Sequence, residues 1–113
     1  MEVTIYHNPR CTKSRQTLEL LRSHGVEPNV IEYLKNPPSV AVLRDLSKKL
    51  DLSPEEMVRQ KEFSELPGTE DLNAQQYLNS MAEHPRIIER PIVVRGNRAR
   101  IGRPPENVLD LLN

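Results

Sequence analysis

Apolar and polar positions alternate with a period of two from Val3 to His7 ("VTIYH"), and Asn8-Pro9 then stops the run. This pattern predicts a short strand followed by a turn. From Thr12 the spacing becomes helical, with Leu18 and Leu21 three apart, basic Arg22 in the last turn and Gly25 just beyond. After Pro28, "NVIEYL" (Asn29 to Leu34) predicts a second strand. A strand-helix-strand connection of this length favours a parallel pair. The middle of the chain is helical. "PPSVAVLRDLSKKL" puts Leu43, Leu46 and Leu50 on one face. "SPEE" (Ser53 to Glu56) is a capping box with Pro54 at the first helical position, predicting a short helix through Met57, Val58 and Arg59. "LPGTED" reads as loop, and "NAQQYLNSMAEH" as a helix capped by Asn73 and ended at Pro85.

The period then returns to two. "PIVV", a Gly96-Asn97 turn and "RARI" predict a hairpin, and "RPPENVLDLL" a closing helix. The order β-α-β, helices, β-β-α predicts an α/β chain with a mixed four-stranded sheet flanked by helices, the thioredoxin-like architecture. It is read as one domain, residues 1–113, with a helical insertion at about 39–84. Periodicity assigns Leu18, Leu21, Leu43, Leu46, Ile92, Val94 and Ile101 to the core.

Composition narrows the function. The 16 basic and 16 acidic residues balance, which argues against a general nucleic-acid binder. No apolar run approaches the roughly 18 residues of a membrane span, and no signal-peptide pattern opens the chain. One cysteine cannot form an internal disulfide, and a free thiol suits a reducing compartment, so a cytoplasmic protein is expected. The three histidines, His7, His24 and His84, show no structural zinc spacing with Cys11, so no metal is expected.

Cys11 stands where the first strand has ended and the first helix begins. Unpaired N–H groups at a helix start favour an anion, and a thiolate is one. His7, Arg10, Lys13 and Arg15 add potential positive charge, and Ser14, one turn on, could donate a hydrogen bond to sulfur. A free cysteine is more often a buried apolar residue, but these flanks are polar and cationic, so Cys11 reads as a reactive nucleophile. Two schemes are disfavoured by spacing. A dithiol site needs C-x-x-C, where position 14 is Ser; a cysteine-phosphatase loop needs arginine where Thr17 stands. A single thiolate needing an external thiol remains.

"YHNPRCTKSRQTLELL", "VIEYLKNPP", "ERPIVV" and "GRPPENVLDLL" together resemble the glutathione/glutaredoxin-linked arsenate reductase (ArsC) family, from about residue 3 onward. The resemblance implies that Cys11 attacks arsenate and that Arg59, Arg90 and Arg103 hold the oxyanion. His7 then matches the motif histidine that favours the thiolate, Ser14 the motif serine, and Pro91 the cis proline facing the cysteine. It further implies a cycle through a thioarsenate ester, with glutathione and glutaredoxin as external reductants and no bound cofactor; for the oligomeric state, a monomer is the default expectation. Guanidinium forks suit a tetrahedral oxyanion on chemical grounds as well. Two other readings stand beside it. One is a transcription regulator of the Spx type that binds RNA polymerase, against which Ser14 and the arginine trio count. The other is a glutathione-dependent thiol transferase with a different substrate.

Overall fold

The alternating run at the head of the chain forms β1 (Val3–His7), with Val3, Ile5 and His7 turned inward, in a computed structural model that describes residues 2–113. The helix α1 (Thr12–Ser23) follows, with Cys11 as its N-cap. β2 (Asn29–Glu32) pairs parallel to β1, His7 lying opposite Glu32. It is shorter than expected: the amides of Lys35 and Asn36 both bond the Glu32 carbonyl, so the chain turns before Leu34. β3 (Ile92–Arg95) lies antiparallel on the other side of β1, and β4 (Arg98–Ile101) returns after a two-residue turn with φ 63° at Gly96. The sheet order is β2-β1-β3-β4, mixed and four-stranded, as the thioredoxin-like reading expects.

The contacts divide the chain into two compact units, one made of residues 2–36 and 90–113 and the other of residues 37–89. The core of the first gathers Val3, Ile5, Leu21, Val93, Val108 and Leu111. Val93 and Ala99 are fully enclosed, while Val94 and Ile101 are half-buried. The closing segment Pro105–Leu112 is a 3₁₀ helix, not an α-helix. On α1 the enclosed stripe is Ser14, Thr17 and Leu21, so two of its three inward positions are polar. A search for apolar period alone passes over them.

The second unit is built on α2 (Val40–Leu50), capped by Ser39 and closed by Asp51 in the left-handed region at φ 57°. The capping box of Ser53 and Glu56 opens a 3₁₀ turn, Pro54–Met57, but this turn stops short of Arg59. Val58 is extended and bridges to Ile88; the Arg59 amide bonds Ile87 O and the Glu89 amide bonds Met57 O. Arg59 therefore caps a separate short helix, α3 (Gln60–Ser64), which lies beyond the end of the helix expected there. α4 (Ala74–Glu83) begins with the Asn73–Gln76 capping box. Phe63 and Tyr77 stack with centroids 5.1 Å apart, tying α3 to α4. No described helix is long and apolar enough to cross a membrane.

Candidate active site around Cys11

The loop between β1 and α1 is knitted by short-range bonds. The Cys11 amide donates to Asn8 O at 3.0 Å, closing a turn, and the Cys11 carbonyl accepts the first helical bond from Arg15 N at 3.0 Å. Cys11 has φ −92° and ψ 123°, extended as an N-cap should be, and is half-exposed. Asn8 Oδ1 accepts from the Arg10 amide. Arg15 forks back across the turn, donating to Pro9 O at 2.9 Å and to Thr12 Oγ1 at 3.3 Å. Arg15, expected only to add positive charge near the cysteine, is a brace on the loop that carries it. Its signal was available in the sequence, since a helix residue one turn inside the start can reach the carbonyls of the preceding turn.

His7 and Ser14 are both buried and meet at 2.6 Å, His7 Nδ1 to Ser14 Oγ. The same oxygen accepts from the Asn8 amide at 3.0 Å. With that bond accepted, the Ser14 O–H is free to donate to Nδ1, leaving the imidazole proton on Nε2. The hydrogen bonds of Ser14 thus run to His7 and to the loop backbone, not to sulfur as the spacing suggested. Nor is His7 a source of positive charge. Burial pushes its pKa down; Glu32 opposes this, and Arg22 and Arg15 reinforce it. A neutral imidazole in a serine-bridged network positions the loop.

The cation at the sulfur comes from far along the chain. Arg103 Nη1 lies 4.0 Å from Cys11 Sγ and also donates to Arg90 O at 3.4 Å. A guanidinium there stabilises negative charge on sulfur or on a group bonded to it. The placement of Arg103 follows from its neighbours. Gly102 N donates to Pro91 O at 2.9 Å, and Gly102 O accepts from the buried Thr17 hydroxyl at 3.4 Å. A Cβ at Gly102 would lie 2.5 Å from Thr17 Oγ1 and 2.9 Å from Pro91 Cγ, so only glycine fits this approach. Arg90–Pro91 is cis, as the resemblance implies, and Arg103–Pro104 is cis as well. Arg90 itself is buried.

Cys11, His7, Ser14, Arg90 and Arg103 all belong to the first unit. Arg59 belongs to the second, where its guanidinium pairs with Glu62 at 2.8 Å, both side chains largely covered. Among the described residues no cluster of His, Cys, Asp and Glu could hold a metal ion.

The mixed four-stranded sheet, with a thiol at a helix N-cap, a buried histidine-serine pair and an arginine beside the sulfur, is that of a thioredoxin-like protein with a single cysteine. The ArsC family model matches residues 6–111, and the chain belongs to that family. It is 50% identical to the Escherichia coli protein YfgD over 98% of this chain and 97% of that one. It is 46% identical to an arsenate reductase of Rhizobium meliloti, covering 99% of this chain and 82% of the relative. The solved arsenate reductase from Vibrio cholerae superposes with a TM-score of 0.88 at 47% identity, over 97% of each chain.

Proposed function

We propose that the protein is an arsenate reductase of the cytoplasm, working as a monomer with Cys11 as nucleophile and glutathione and glutaredoxin as reductants. The observation that carries this reading is the Arg103 guanidinium at 4.0 Å from Cys11 Sγ, in a chain whose relatives carry that activity in their names. Arg59, Arg90 and Arg103 are the proposed oxyanion ligands; His7 and Ser14 hold the loop.

In the first step the Cys11 sulfur bonds to arsenic and water leaves, so arsenic stays pentavalent in a thioarsenate ester. Glutathione condenses with this ester, adding a second sulfur–arsenic bond and releasing another water. A glutaredoxin thiol then attacks the glutathione sulfur. The electron pair of that sulfur–arsenic bond passes to arsenic, giving trivalent arsenic on Cys11 and a mixed disulfide. Hydrolysis frees arsenite and the Cys11 thiol. In sum, arsenate and a pair of thiols give arsenite, a disulfide and water. The role of the arginines is electrostatic, since a thiolate attacking an oxyanion meets like charge that guanidinium groups offset.

The test is arsenite release with glutathione and glutaredoxin. Turnover lost in Cys11→Ser supports the reading; wild-type turnover at the no-enzyme level overturns it. Arg59→Ala, Arg90→Ala and Arg103→Ala should each raise the KM for arsenate by about tenfold or more, the loss of one charge-assisted contact. Wild-type KM in all three would overturn the ligand assignment.

A further inference from the structure

The catalytic reading needs a small thiol beside Cys11, and the surface next to the nucleophile loop has a cavity suited to one. It has a volume of about 200 Å³ and lies just outside the carboxyl ends of the parallel strands β1 and β2. One wall is His7 and the loop Asn8–Arg10; the other is Glu32, Leu34 and Lys35. The Asn8 O–Cys11 N bond closes the turn shared by cavity and nucleophile, which holds the Cα atoms of Asn8 and Cys11 within about 7 Å. The turn thus fixes Cys11 next to this wall.

The charges in the cavity are specific. The Arg10 guanidinium makes no hydrogen bond or ion pair within the protein among the described residues; only the Arg10 backbone is engaged. Lys35 is 75% exposed at its side chain and meets Glu32 only loosely, at 3.6 Å. His7 is buried, and its depressed pKa leaves the imaginable third cation uncharged. Two cations and one carboxylate thus share the lining with Pro9 and with Leu34, an apolar residue left 43% exposed. A γ-glutamyl tripeptide thiol carries the complementary set, two carboxylates and one ammonium, on a flexible chain of methylenes and amides.

We infer that this cavity is the docking subsite of the thiol co-substrate, with Arg10 and Lys35 taking its carboxylates and Glu32 its ammonium. The inference rests on the proposed thiol-dependent reaction. Seated there, the thiol sulfur condenses with arsenic already bonded to Cys11: a sulfur–arsenic bond forms, the thiol proton and an arsenic hydroxyl leave as water, and arsenic stays pentavalent. A cavity this small encloses part of the tripeptide, so weak binding suited to an abundant co-substrate is expected. A second groove flanks α1, lined by Lys13, Gln16, Leu20, Pro104, Pro105 and Glu106. Its single cation facing a single carboxylate matches the tripeptide less well.

The experiment has a binding arm and a kinetic arm. In the first, S-methylglutathione, which cannot react, is titrated into isotope-labelled Cys11→Ser protein and amide shifts are followed. Shifts centred on Asn8, Arg10, Leu34 and Lys35 support the subsite. Shifts centred on Lys13, Gln16 and Glu106, or none at saturating probe, overturn it. In the second, Arg10→Ala and Lys35→Ala should each raise the KM for glutathione about fivefold to tenfold and leave the KM for arsenate unchanged. An unchanged glutathione KM in both, with thiol-dependent turnover intact, overturns the subsite while the reductase reading stands. Absence of thiol-dependent turnover in wild type sinks the reductase reading, and the titration then decides the subsite alone.

Discussion

Replacing Gly102 by alanine tests the packing that places Arg103 at the sulfur. The backbone there suits any L residue, so the cost is purely one of space. The new methyl would lie 2.5 Å from Thr17 Oγ1, 2.9 Å from Pro91 Cγ and 3.0 Å from Thr17 Cγ2. Neither neighbour can step aside cheaply. Thr17 is fully buried, and its hydroxyl is held by Lys13 O at 2.8 Å; Pro91 is a rigid, buried ring. Overpacking of this kind costs about 1–3 kcal/mol, and turning Thr17 away forfeits roughly another 1 kcal/mol of hydrogen bonding. A loss of about 2–4 kcal/mol follows. An unfolding entropy of about 2.1 cal/mol/K per residue over 113 residues makes each kcal/mol about 4 °C, so Tm should fall by about 8–16 °C. The partner variant sharpens the test. Thr17→Ala alone should destabilise by about 1 kcal/mol, yet in the Gly102→Ala background it removes two of the three clashes and should stabilise. The assay is urea unfolding of all four proteins of the cycle. Additivity within about 0.5 kcal/mol, or a neutral Gly102→Ala, would refute the close-approach argument.

Three further outcomes follow from the loop network. Ser14→Ala strips the half-buried Asn8 amide and the buried His7 Nδ1 of their shared oxygen, and should cost about 2 kcal/mol in denaturant unfolding; a loss near zero would mean the network is not structural. Burial holds the folded pKa of His7 below its ordinary 6.5, so the unfolded chain takes up the proton first as pH falls. Stability should therefore be lost from about pH 6.5 downward until the folded pKa is reached, and His7→Gln should flatten that part of the urea-midpoint profile; an equal slope in both proteins contradicts the assignment. Arg15→Met removes the fork to Pro9 O and Thr12 Oγ1. Being exposed, it should cost under about 1 kcal/mol globally but speed hydrogen exchange at the Cys11 amide several-fold, and unchanged exchange would dismiss Arg15 as a brace.

The strands, the parallel pair and the hairpin were legible because period two, turn residues and the Gly96-Asn97 signal all agree over short distances. The boundaries that moved did so for local reasons. β2 stops at Glu32 because two amides converge on its carbonyl. The helix expected through Arg59 breaks because Met57 and Ile87 supply bridge carbonyls to the amides of Glu89 and Arg59. α1 was found by its leucines, although its enclosed stripe is mostly polar. Apolar spacing locates such a helix but cannot say that Ser14 and Thr17 face inward, since a hydroxyl is buried only where a partner waits for it.

The same distinction separates the two halves of the candidate site. Cys11, His7 and Ser14 lie within eight positions of each other, and strand-turn-helix geometry alone makes them neighbours; only the direction of their hydrogen bonds had to be seen. Arg103 is 92 positions from Cys11, and no local rule reaches across that distance. Its approach depends on a glycine that lets the backbone pass Thr17 and Pro91 at contact distance, and on the Arg90 carbonyl that receives one of its N–H groups. A glycine in "RIGRPP" is a weak signal by itself, equally at home in a turn. It becomes informative once Thr17 is known to face inward, because a buried hydroxyl opposite a residue with no side chain marks a place where two segments are pressed together. The contact between Arg103 and the sulfur is thus a property of packing between distant segments. For that reason the cycle of Gly102 and Thr17 variants, read by arsenite release as well as by unfolding, should show activity and stability falling and recovering together.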